Sequence, residues 1–472
     1  MGQEIADSHF RRQDFDAFDE RLRRETSLLE EWFRDGVFSD SADKGGFELE
    51  AWLVDRRGCP ASINQAYLER LDNPLVVSEL ATFNVELNST PLSLEGDAFS
   101  RMAQELESNW VNCNRVAEEF DARMAMVGIL PTVGLEQLNL QHMSPLQRFR
   151  ALNEQILRQR SGRPIELHIS GRNRLDLQHR DVMLESAATS FQIHLKVAPA
   201  EAVRVYNASK VLSAPMVAAC ANSPFLFGCD LWDETRIPLF EQAVDVGATD
   251  AAKRVGFGIR YAEESMVECF QANLQRYPVL LPQLMDDPPE RMSHLRLHNG
   301  TIWRWNRPLI GFDDDGRPHL RIEHRVVPSG PSVVDSIANA ALYFGAVRAL
   351  ADQPEPAERH LRFGQARANF YAAARDGLDA EILWLDERRI TLLELLELEL
   401  LPLARSGLQS LGIDWDEIDT WLGVIEGRVR SGRTGAAWQR AYVQRHGADM
   451  EALTQAYLAQ QATGAPVHEW RI

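Results

Sequence analysis

The sequence lacks the compact motifs that identify the best-known nucleotide and metal sites. It contains neither a GxxxxGK[ST] loop nor a GxGxxG loop between a strand and a helix, and it has no HExxH pattern. These absences exclude the sequence signatures of P-loop proteins, dinucleotide-binding domains and zinc proteases. The segment Gly256-Phe257-Gly258 is only a fragment of a glycine-rich loop. A nucleotide or metal site must therefore be assembled from residues that lie far apart in the sequence.

Cysteine is scarce, and no long apolar run is visible. The five cysteines are odd in number and form no CxxC pair, which favours reduced, structural thiols in a cytoplasmic protein. We identify no signal peptide and no apolar run that approaches the roughly 20 residues of a membrane span. We therefore expect a soluble protein. The cysteines are Cys59, Cys113, Cys220, Cys229 and Cys269.

Positive charge is also in short supply. The chain has 50 lysines and arginines against 69 aspartates and glutamates, and its net charge is −19. This balance argues against sequence-independent binding of nucleic acid or of an anionic membrane, because both need a basic surface. It does not argue against ATP, because bound divalent cations offset phosphate and carboxylate charge locally.

Four short segments alternate strictly between polar and apolar residues, over 47–54, 82–88, 189–197 and 319–326. Side chains alternate across a strand with period 2, so each segment predicts a half-buried strand with one polar face. Strands of a doubly wound parallel sheet would be apolar on both faces. We therefore predict an α+β fold with a largely antiparallel sheet, helices on one face and an open face lined by carboxylates. The residues on the polar faces include Glu48, Glu50, Glu86, Asn88, Gln192, His194, Arg321, Glu323 and Arg325.

The rest of the chain is predicted to be mainly helical. A strand over 301–306 and the strand over 319–326 are predicted to form a hairpin, because Asp313-Asp314-Asp315-Gly316 between them favours a turn. Beyond about residue 355 the strand pattern disappears. We predict an N-terminal helical segment (1–40), a catalytic domain (41–355) and a helical C-terminal subdomain (356–472). Helices are predicted over 14–33, 96–127, 200–220 and 332–350.

The polar faces allow two interpretations. Glutamates on separate strands can share magnesium or manganese ions with nucleotide phosphates, and neighbouring arginines can hold a phosphoryl group in transfer. Equally, a Glu-x-Glu strand is usually a solvated sheet face, and an Arg-x-Glu-x-Arg strand is usually a ladder of ion pairs. Periodicity alone leaves both open.

Five segments occur together in an order that resembles the glutamate–cysteine ligase type 2 family, whose members are ATP-dependent carboxylate–amine ligases with a glutamine synthetase-like fold. The resemblance covers roughly residues 45 to 350. Two departures from the family pattern affect the substrate side. Gln192 and His194 stand where many relatives have a His-x-His pair. Val326-Val327-Pro328 follows Arg325 where many relatives continue R-x-E-x-R-x-x-D. The segments are GGFELEAWLVD (45–55), SELATFNVELNSTP (78–91), SAATSFQIHLKV (186–197), LSAPMVAACANSPFLFG (212–228) and LRIEHRVVPSGPSVVDSIANAALYFG (320–345).

The resemblance implies a role for each matched residue. It makes Glu48, Glu50, Glu86 and Glu323 metal ligands. It adds Glu79, whose odd spacing of seven from Glu86 requires a loop or bulge between them. Arg325 would face the transferred phosphate, with Glu323 beside it as the second catalytic residue. The candidates for substrate and ATP binding are Asn88, Gln192, His194, Arg236 and Arg321.

Together these observations predict a cytoplasmic ligase that uses ATP and Mg²⁺ or Mn²⁺. It would convert a carboxylate, by default that of glutamate, into an acyl phosphate that cysteine or another amine attacks. Two alternatives stay open, a metal-dependent phosphotransferase on the same fold and a non-catalytic nucleotide-binding relative. The Leu-rich C-terminal tail indicates core packing, and a homo-oligomer contact is a weaker possibility.

Overall fold

The computed structural model describes residues 4–5, 8–41, 43–246 and 253–472. Residues 1–3, 6–7, 42 and 247–252, which fall within the predicted N-terminal segment and catalytic domain, lie outside the described residues.

A single antiparallel sheet dominates the described part of the chain. Eight strands belong to it, in the order β11-β12-β8-β1-β3-β2, with β4 and β5 also paired to β1. Three separate two-stranded sheets are formed by β6 with β7, β9 with β10, and β13 with β14. The strands are β1 (Lys44–Asp55), β2 (Val76–Ser78), β3 (Asn84–Asn88), β4 (Leu92–Ser93), β5 (Ala122–Ala125), β6 (Ile165–Ser170), β7 (Arg174–His179), β8 (Phe191–Val197), β9 (Phe225–Leu226), β10 (Cys229–Asp230), β11 (Asn306–Phe312), β12 (Pro318–His324), β13 (Glu381–Leu383) and β14 (Arg389–Thr391).

Helices surround this sheet and make up most of the C-terminal part of the chain. They are α1 (Arg12–Asp35), α2 (Asn64–Leu71), α3 (Ala98–Glu118), α4 (Gln147–Gln159), α5 (Ala202–Cys220), α6 (Arg236–Ala243), α7 (Val267–Arg276), α8 (Ser293–Gly300), α9 (Val333–Asp352), α10 (Ala357–His360), α11 (Phe363–Asp376), α12 (Leu392–Leu395), α13 (Leu401–Ser410), α14 (Trp415–Ser431), α15 (Gly435–His446) and α16 (Met450–Gln461).

The strand register brings the polar residues of four strands onto one face. Glu50 lies opposite Glu86, and Glu48 lies between Asn88 on β3 and Gln192 on β8. Next along the sheet, His194 on β8 lies opposite Glu323 on β12. Directly opposed residues of an antiparallel pair project to the same side.

The alternate residues of the same strands project to the other side and are buried. Leu49, Val85, Ile193 and Ile322 are each fully buried in the main hydrophobic core. Helices α5 and α9 contact β8, β11 and β12 and supply much of the rest of that core. The α+β architecture with an antiparallel sheet is confirmed.

Three details of the secondary structure differ from the sequence expectation. The helix predicted over 96–127 ends at Glu118, and Ala122–Ala125 forms strand β5 against β1. Residues 301–306 do not form the first strand of the hairpin, because β11 begins only at Asn306. The C-terminal region contains a short hairpin, β13–β14, among its helices. Strand β5 pairs with a strand far away in the sequence, and β13 and β14 have only three residues each. The local sequence pattern is a weak guide to such strands.

Helix α9 is the element that most resembles a membrane span. Contrary to the sequence expectation, it is long and apolar enough by length and composition to cross a membrane. However, 83% of its apolar window is buried inside the protein. A core helix has the same property, so α9 is weak evidence for a membrane span.

Residues from all three predicted domains contribute to one core. Phe18 of α1, Phe47 of β1 and Leu408 of α13 belong to the same hydrophobic cluster. Helix α13 also packs directly on α9. The division at residues 40 and 355 stays a prediction.

Candidate active site

The polar face of the sheet forms the floor of a cavity of about 600 Å³. We call it the main cavity. Helix α4 and the segment that contains α8 contribute its walls, together with strand β11. A cavity of this volume accommodates a nucleotide-sized ligand. Its lining includes the predicted site residues Glu48, Glu50, Glu79, Glu86, Gln192, Arg321, Glu323 and Arg325.

Two groups of side chains in this floor can each hold a metal ion. In the first, Glu48, His194 and Glu323 place their ligand atoms within 4.8 Å of one another. The Nε2 atom of His194 lies 3.5 Å from Glu48 Oε1 and 3.8 Å from Glu323 Oε1. This nitrogen is buried and has no hydrogen-bond partner among the described residues.

The protonation state of His194 suits a ligand. Burial lowers its pKa to about 4, even though Glu48 and Glu323 favour the charged form. The imidazole is therefore neutral near pH 7, which is the form that coordinates metals. A neutral, buried, unpartnered nitrogen that faces two carboxylates fits a divalent cation.

The second group consists of Glu50, Glu79 and Glu86. Burial raises the pKa of Glu50 to about 7, with Glu79 adding to the shift. Burial and then Glu48 and Glu79 raise the pKa of Glu86 well above its ordinary value. Like charges crowded in this way are costly unless protons or cations neutralise them, so this group also fits a divalent cation.

The position of Glu79 explains its odd spacing from Glu86. Strand β2 ends at Ser78, and Glu79 lies just beyond it in the turn that leads to β3. The alternation of a regular strand does not apply across this turn, so both carboxylates reach the same side of the sheet.

Glu323 also belongs to a network of arginines. Arg307 on β11 binds it through Nε at 2.7 Å and Nη2 at 3.0 Å, and Arg325 Nη1 lies 3.3 Å from it. Burial alone would raise the pKa of Glu323, but Arg307 and Arg325 outweigh it and hold the pKa well below its ordinary value. Glu323 is therefore charged at neutral pH.

Sequence reasoning missed Arg307. The strand was predicted over 301–306, so Arg307 fell outside it. In the structure β11 begins at Asn306 and pairs Arg307 directly with Glu323. Counting back from the turn at Asp313–Gly316 along both strands would have found it.

The main cavity also has basic side chains. Arg291 and Arg296, just before and within α8, and Arg321, on β12 of the floor, line it. Burial lowers the pKa of Arg296, and repulsion from Arg321 and Arg291 lowers it further. The Nε atom of Arg321 is buried without a hydrogen-bond partner in the described chain. Unpaired, mutually repelling guanidinium groups favour a polyanionic ligand such as a nucleotide phosphate chain.

A smaller cavity of about 50 Å³ adjoins the floor, and Arg236 lines it. Arg236 is 2% exposed, donates to Glu234 at 3.1 Å and to the Val326 carbonyl at 2.6 Å, and so is held rigidly. Both side-chain amide atoms of Asn84 and one oxygen of Glu185 are buried there without a partner among the described residues. These groups fit a small polar ligand.

Glu185 is a second residue that sequence reasoning missed. Burial raises its pKa to about 8, and Glu79 and Glu50 add to the shift. It lines both the main and the smaller cavity. It lies in a short 3-10 helix (Val182–Ala187) that carries no strand pattern, so the sequence offered little to single it out.

Gln192 and Asn88, the remaining predicted residues, lie on either side of Glu48 in the sheet. Gln192 donates to Glu50 Oε1 at 2.9 Å and accepts from Arg325, so it couples a carboxylate to an arginine. Asn88 donates to Glu86 Oε1 at 3.1 Å but lines neither the main nor the smaller cavity. Its predicted contact with substrate stays a prediction.

The chain also matches a known protein family. Residues 45–458 match the model of glutamate-cysteine ligase family 2. The chain belongs to this family. The match extends beyond the range 45 to 350 that the sequence motifs had covered, and the predicted resemblance is confirmed. No curated protein sequence matches the chain.

Solved structures share the fold of this family member. One is a glutamate–cysteine ligase from Francisella tularensis in complex with AMP, 13% identical over 90% of both chains, with a TM-score of 0.56. Another is a bifunctional glutathione synthetase from Pasteurella multocida, 11% identical over 92% of this chain and 55% of that one, with a TM-score of 0.50. At such identities the likeness establishes the fold alone. Family membership indicates a ligase.

Proposed function

We propose that this protein is an ATP-dependent ligase that joins a carboxylate, by default the γ-carboxylate of glutamate, to an amine. The observation that carries the proposal is the convergence of carboxylates and arginines on one cavity, although Glu48 on β1 and Glu323 on β12 are 275 residues apart in sequence. The Francisella ligase was solved in complex with AMP, and this supports an adenine nucleotide in the main cavity.

The chain's own residues suggest how the reaction would be positioned. Glu48, His194 and Glu323 would hold one divalent cation, and Glu50, Glu79 and Glu86 another. Bound Mg²⁺ or Mn²⁺ would offset the charge of the phosphates and the carboxylate.

Two arginines would act on the transferred phosphoryl group. Arg325 would stabilise the negative charge that develops on it, and Arg321 would bind the remaining phosphates. Glu323 holds the Arg325 guanidinium on one side, and Gln192 accepts from it on another. Transfer to the substrate carboxylate would give an acyl phosphate and ADP.

The second half of the reaction would use the smaller cavity. Arg236 would bind a substrate carboxylate, and Asn84 and Glu185 would bind the amine that attacks the acyl phosphate. Attack forms the amide bond and releases phosphate, and the proton leaves the amine for a base. Which amine binds there is proposed only by family, with cysteine as the default.

The direct test is a substrate screen. Purified protein is incubated with Mg²⁺ or Mn²⁺, ATP, glutamate and a panel of amino acids and amines, and ADP and new masses are measured together. We expect ADP release that needs both glutamate and one amine, and a product mass equal to their sum less water.

Two outcomes would contradict the proposal. A stable phosphorylated product without an amide bond would favour a phosphotransferase. Calorimetry that shows no metal-dependent binding of ATP would favour a non-catalytic relative. Arg325→Lys is the matched variant for the role of Arg325, and it should lower ADP release. A lysine keeps the charge but cannot reproduce the planar guanidinium that contacts both Gln192 and Glu323.

A further inference from the structure

A third cavity, of about 70 Å³, lies at the edge of the sheet beside β11. We call it the edge cavity. Helices α5 and α7 and the residues just before β11 line it. It is distinct from the main cavity, but Asn299 and Arg307 line both.

The lining of the edge cavity is strongly basic. It contains five cationic side chains and, among the described residues, one carboxylate, Glu268. Arg260 Nη1 lies 2.6 Å from that carboxylate, and Arg307 is paired with Glu323 of the main cavity. The other three cations therefore have no compensating carboxylate in the described lining. The five cations are Lys210, Arg260, Arg276, Arg304 and Arg307.

Lys210 is the clearest sign that this cavity takes a ligand. It is 1% exposed, and no carboxylate of the described chain forms an ion pair with it. Its ammonium group donates to the Phe257 carbonyl at 2.8 Å and lies 4.8 Å from the centre of the Tyr206 ring. An ammonium has three donors, and one carbonyl satisfies only one of them.

Burial lowers the pKa of Lys210 to about 7. The charged form is therefore destabilised in the protein as it stands, and a bound anion would stabilise it. Buried lysines are rarely left without such a partner.

Two further donors are also available. The hydroxyl of Tyr261 is buried and has no hydrogen-bond partner in the described residues. Arg304 donates to the Tyr277 hydroxyl and stacks on its ring at 5.3 Å, but no described carboxylate forms an ion pair with it. Burial lowers its pKa as well.

We propose that the edge cavity binds a small tetrahedral oxyanion of the phosphate type, held by Lys210, Arg304 and the Tyr261 hydroxyl. The donors come from three separate parts of the chain, which are α5, the loop before α7 and the segment before β11. Two cationic groups and a hydroxyl supply more donors and charge than the two oxygens of a carboxylate monoanion use, so they suit a dianion with four oxygens better. The proposal stands on this geometry and does not depend on the ligase activity.

The test is calorimetric titration of the full-length protein with inorganic phosphate at constant ionic strength. We expect one site. Lys210→Met should weaken binding by about tenfold or more, because it removes the buried charge while a similar volume still packs against Tyr206. Tyr261→Phe should weaken phosphate binding several-fold. This substitution removes only a hydroxyl that has no partner in the described chain, so it tests the site even if Lys210→Met does not fold.

Controls separate this site from others. Arg430→Gln, an exposed arginine paired with Glu426 on α14, matches the charge change and should leave phosphate affinity unchanged. Arg321→Gln, in the main cavity, should also leave it unchanged. Sulfate should bind in the same way as phosphate, and acetate at least about tenfold more weakly.

Three results would overturn the inference. The first is the absence of phosphate binding. The second is binding that falls in Arg321→Gln but not in Lys210→Met or Tyr261→Phe, which would place the ion in the main cavity. The third is acetate binding as tight as phosphate, which would indicate a carboxylate site.

Discussion

At the scale of single residues, Glu323 contacts candidate site groups of two kinds, a possible metal ligand and two arginines. It faces His194 across the strand pair, binds Arg307 through both oxygens and lies beside Arg325. A side chain in this position can serve both a metal ion and the arginines that stabilise a phosphate. Its loss should therefore affect activity and stability together.

We predict that Glu323→Gln lowers substrate-dependent ADP release by orders of magnitude. The amide removes a charge that a metal ion and two arginines would share, and it leaves the buried Arg307 without a full counterion. ADP release and thermal unfolding should be measured on the same preparation.

Glu241→Gln is the control for the loss of a hydrogen-bonded carboxylate outside the site. Glu241 is half-buried, accepts from Trp305 Nε1 and Tyr371, and lines neither the main nor the smaller cavity. It should lose stability but keep ADP release. Near-normal turnover in Glu323→Gln would remove Glu323 from the catalytic set.

His194 suggests which metal the first group prefers. Imidazole is a better ligand for manganese than for magnesium, which favours oxygen. We expect Mn²⁺ to bind more tightly than Mg²⁺, and His194→Gln to lower Mn²⁺ affinity by at least about tenfold. Electron paramagnetic resonance of free Mn²⁺ measures this directly. Equal affinity of the variant and the wild type would show that His194 is not a ligand.

At the scale of secondary-structure elements, the contact between α9 and α13 depends on glycine. A Cβ at Gly407 would lie 1.9 Å from the Gly345 carbonyl oxygen, and a Cβ at Gly345 would lie 2.3 Å from the Ala404 carbonyl oxygen. Only glycine allows the two backbones to approach so closely. Helix α9 in turn packs on β8 beneath the candidate site.

We predict that Gly407→Ala lowers the free energy of unfolding by about 1–3 kcal/mol, because the two helices must move apart. Gly423→Ala on α14 is the matched control. A Cβ there meets nothing within 4 Å, so the helix should gain about 0.5–1 kcal/mol. Urea denaturation measures both. A neutral Gly407→Ala would show that the interface repacks without cost.

The hairpin of β11 and β12 shows how an element builds the site. Its turn residues Asp313–Gly316 were recognisable in the sequence, and they determine that Arg307 and Glu323 lie opposite each other. The starting residue of β11 was predicted wrongly, because the strand begins only at Asn306, where pairing with β12 begins. Such pairing is a tertiary contact that overrides local preference.

At the scale of the whole molecule, a buried ion pair connects the C-terminal helices to the core. Arg428 of α14 donates to Asp335 of α9 at 2.7 Å and to Asn339 at 2.6 Å, and its side chain is 1% exposed. Asp335 also accepts from the backbone of Val467 at 3.0 Å. Three distant parts of the chain therefore share one carboxylate.

We predict that Arg428→Met lowers the free energy of unfolding by about 3–5 kcal/mol, because it leaves Asp335 buried without its counterion. Arg430→Met, two residues away in an exposed pair, should change it by less than about 0.5 kcal/mol. A single unfolding transition in the wild type would show that the C-terminal region folds with the rest. Similar stability of both variants would refute the role of the buried pair.

The sequence by itself determined which side chains share a strand face, because alternation with period 2 is a local property of the backbone. It thereby placed Glu48, Glu50, Glu86, His194 and Glu323 on polar strand faces, and its ordered motifs identified the family. Only the tertiary structure decided which faces meet. Strand order places β8 between β1 and β12, a turn brings Glu79 beside Glu50, and Arg307 pairs with Glu323. All three depend on contacts that the local sequence does not specify. Such contacts follow from packing of the whole core, which no local pattern records.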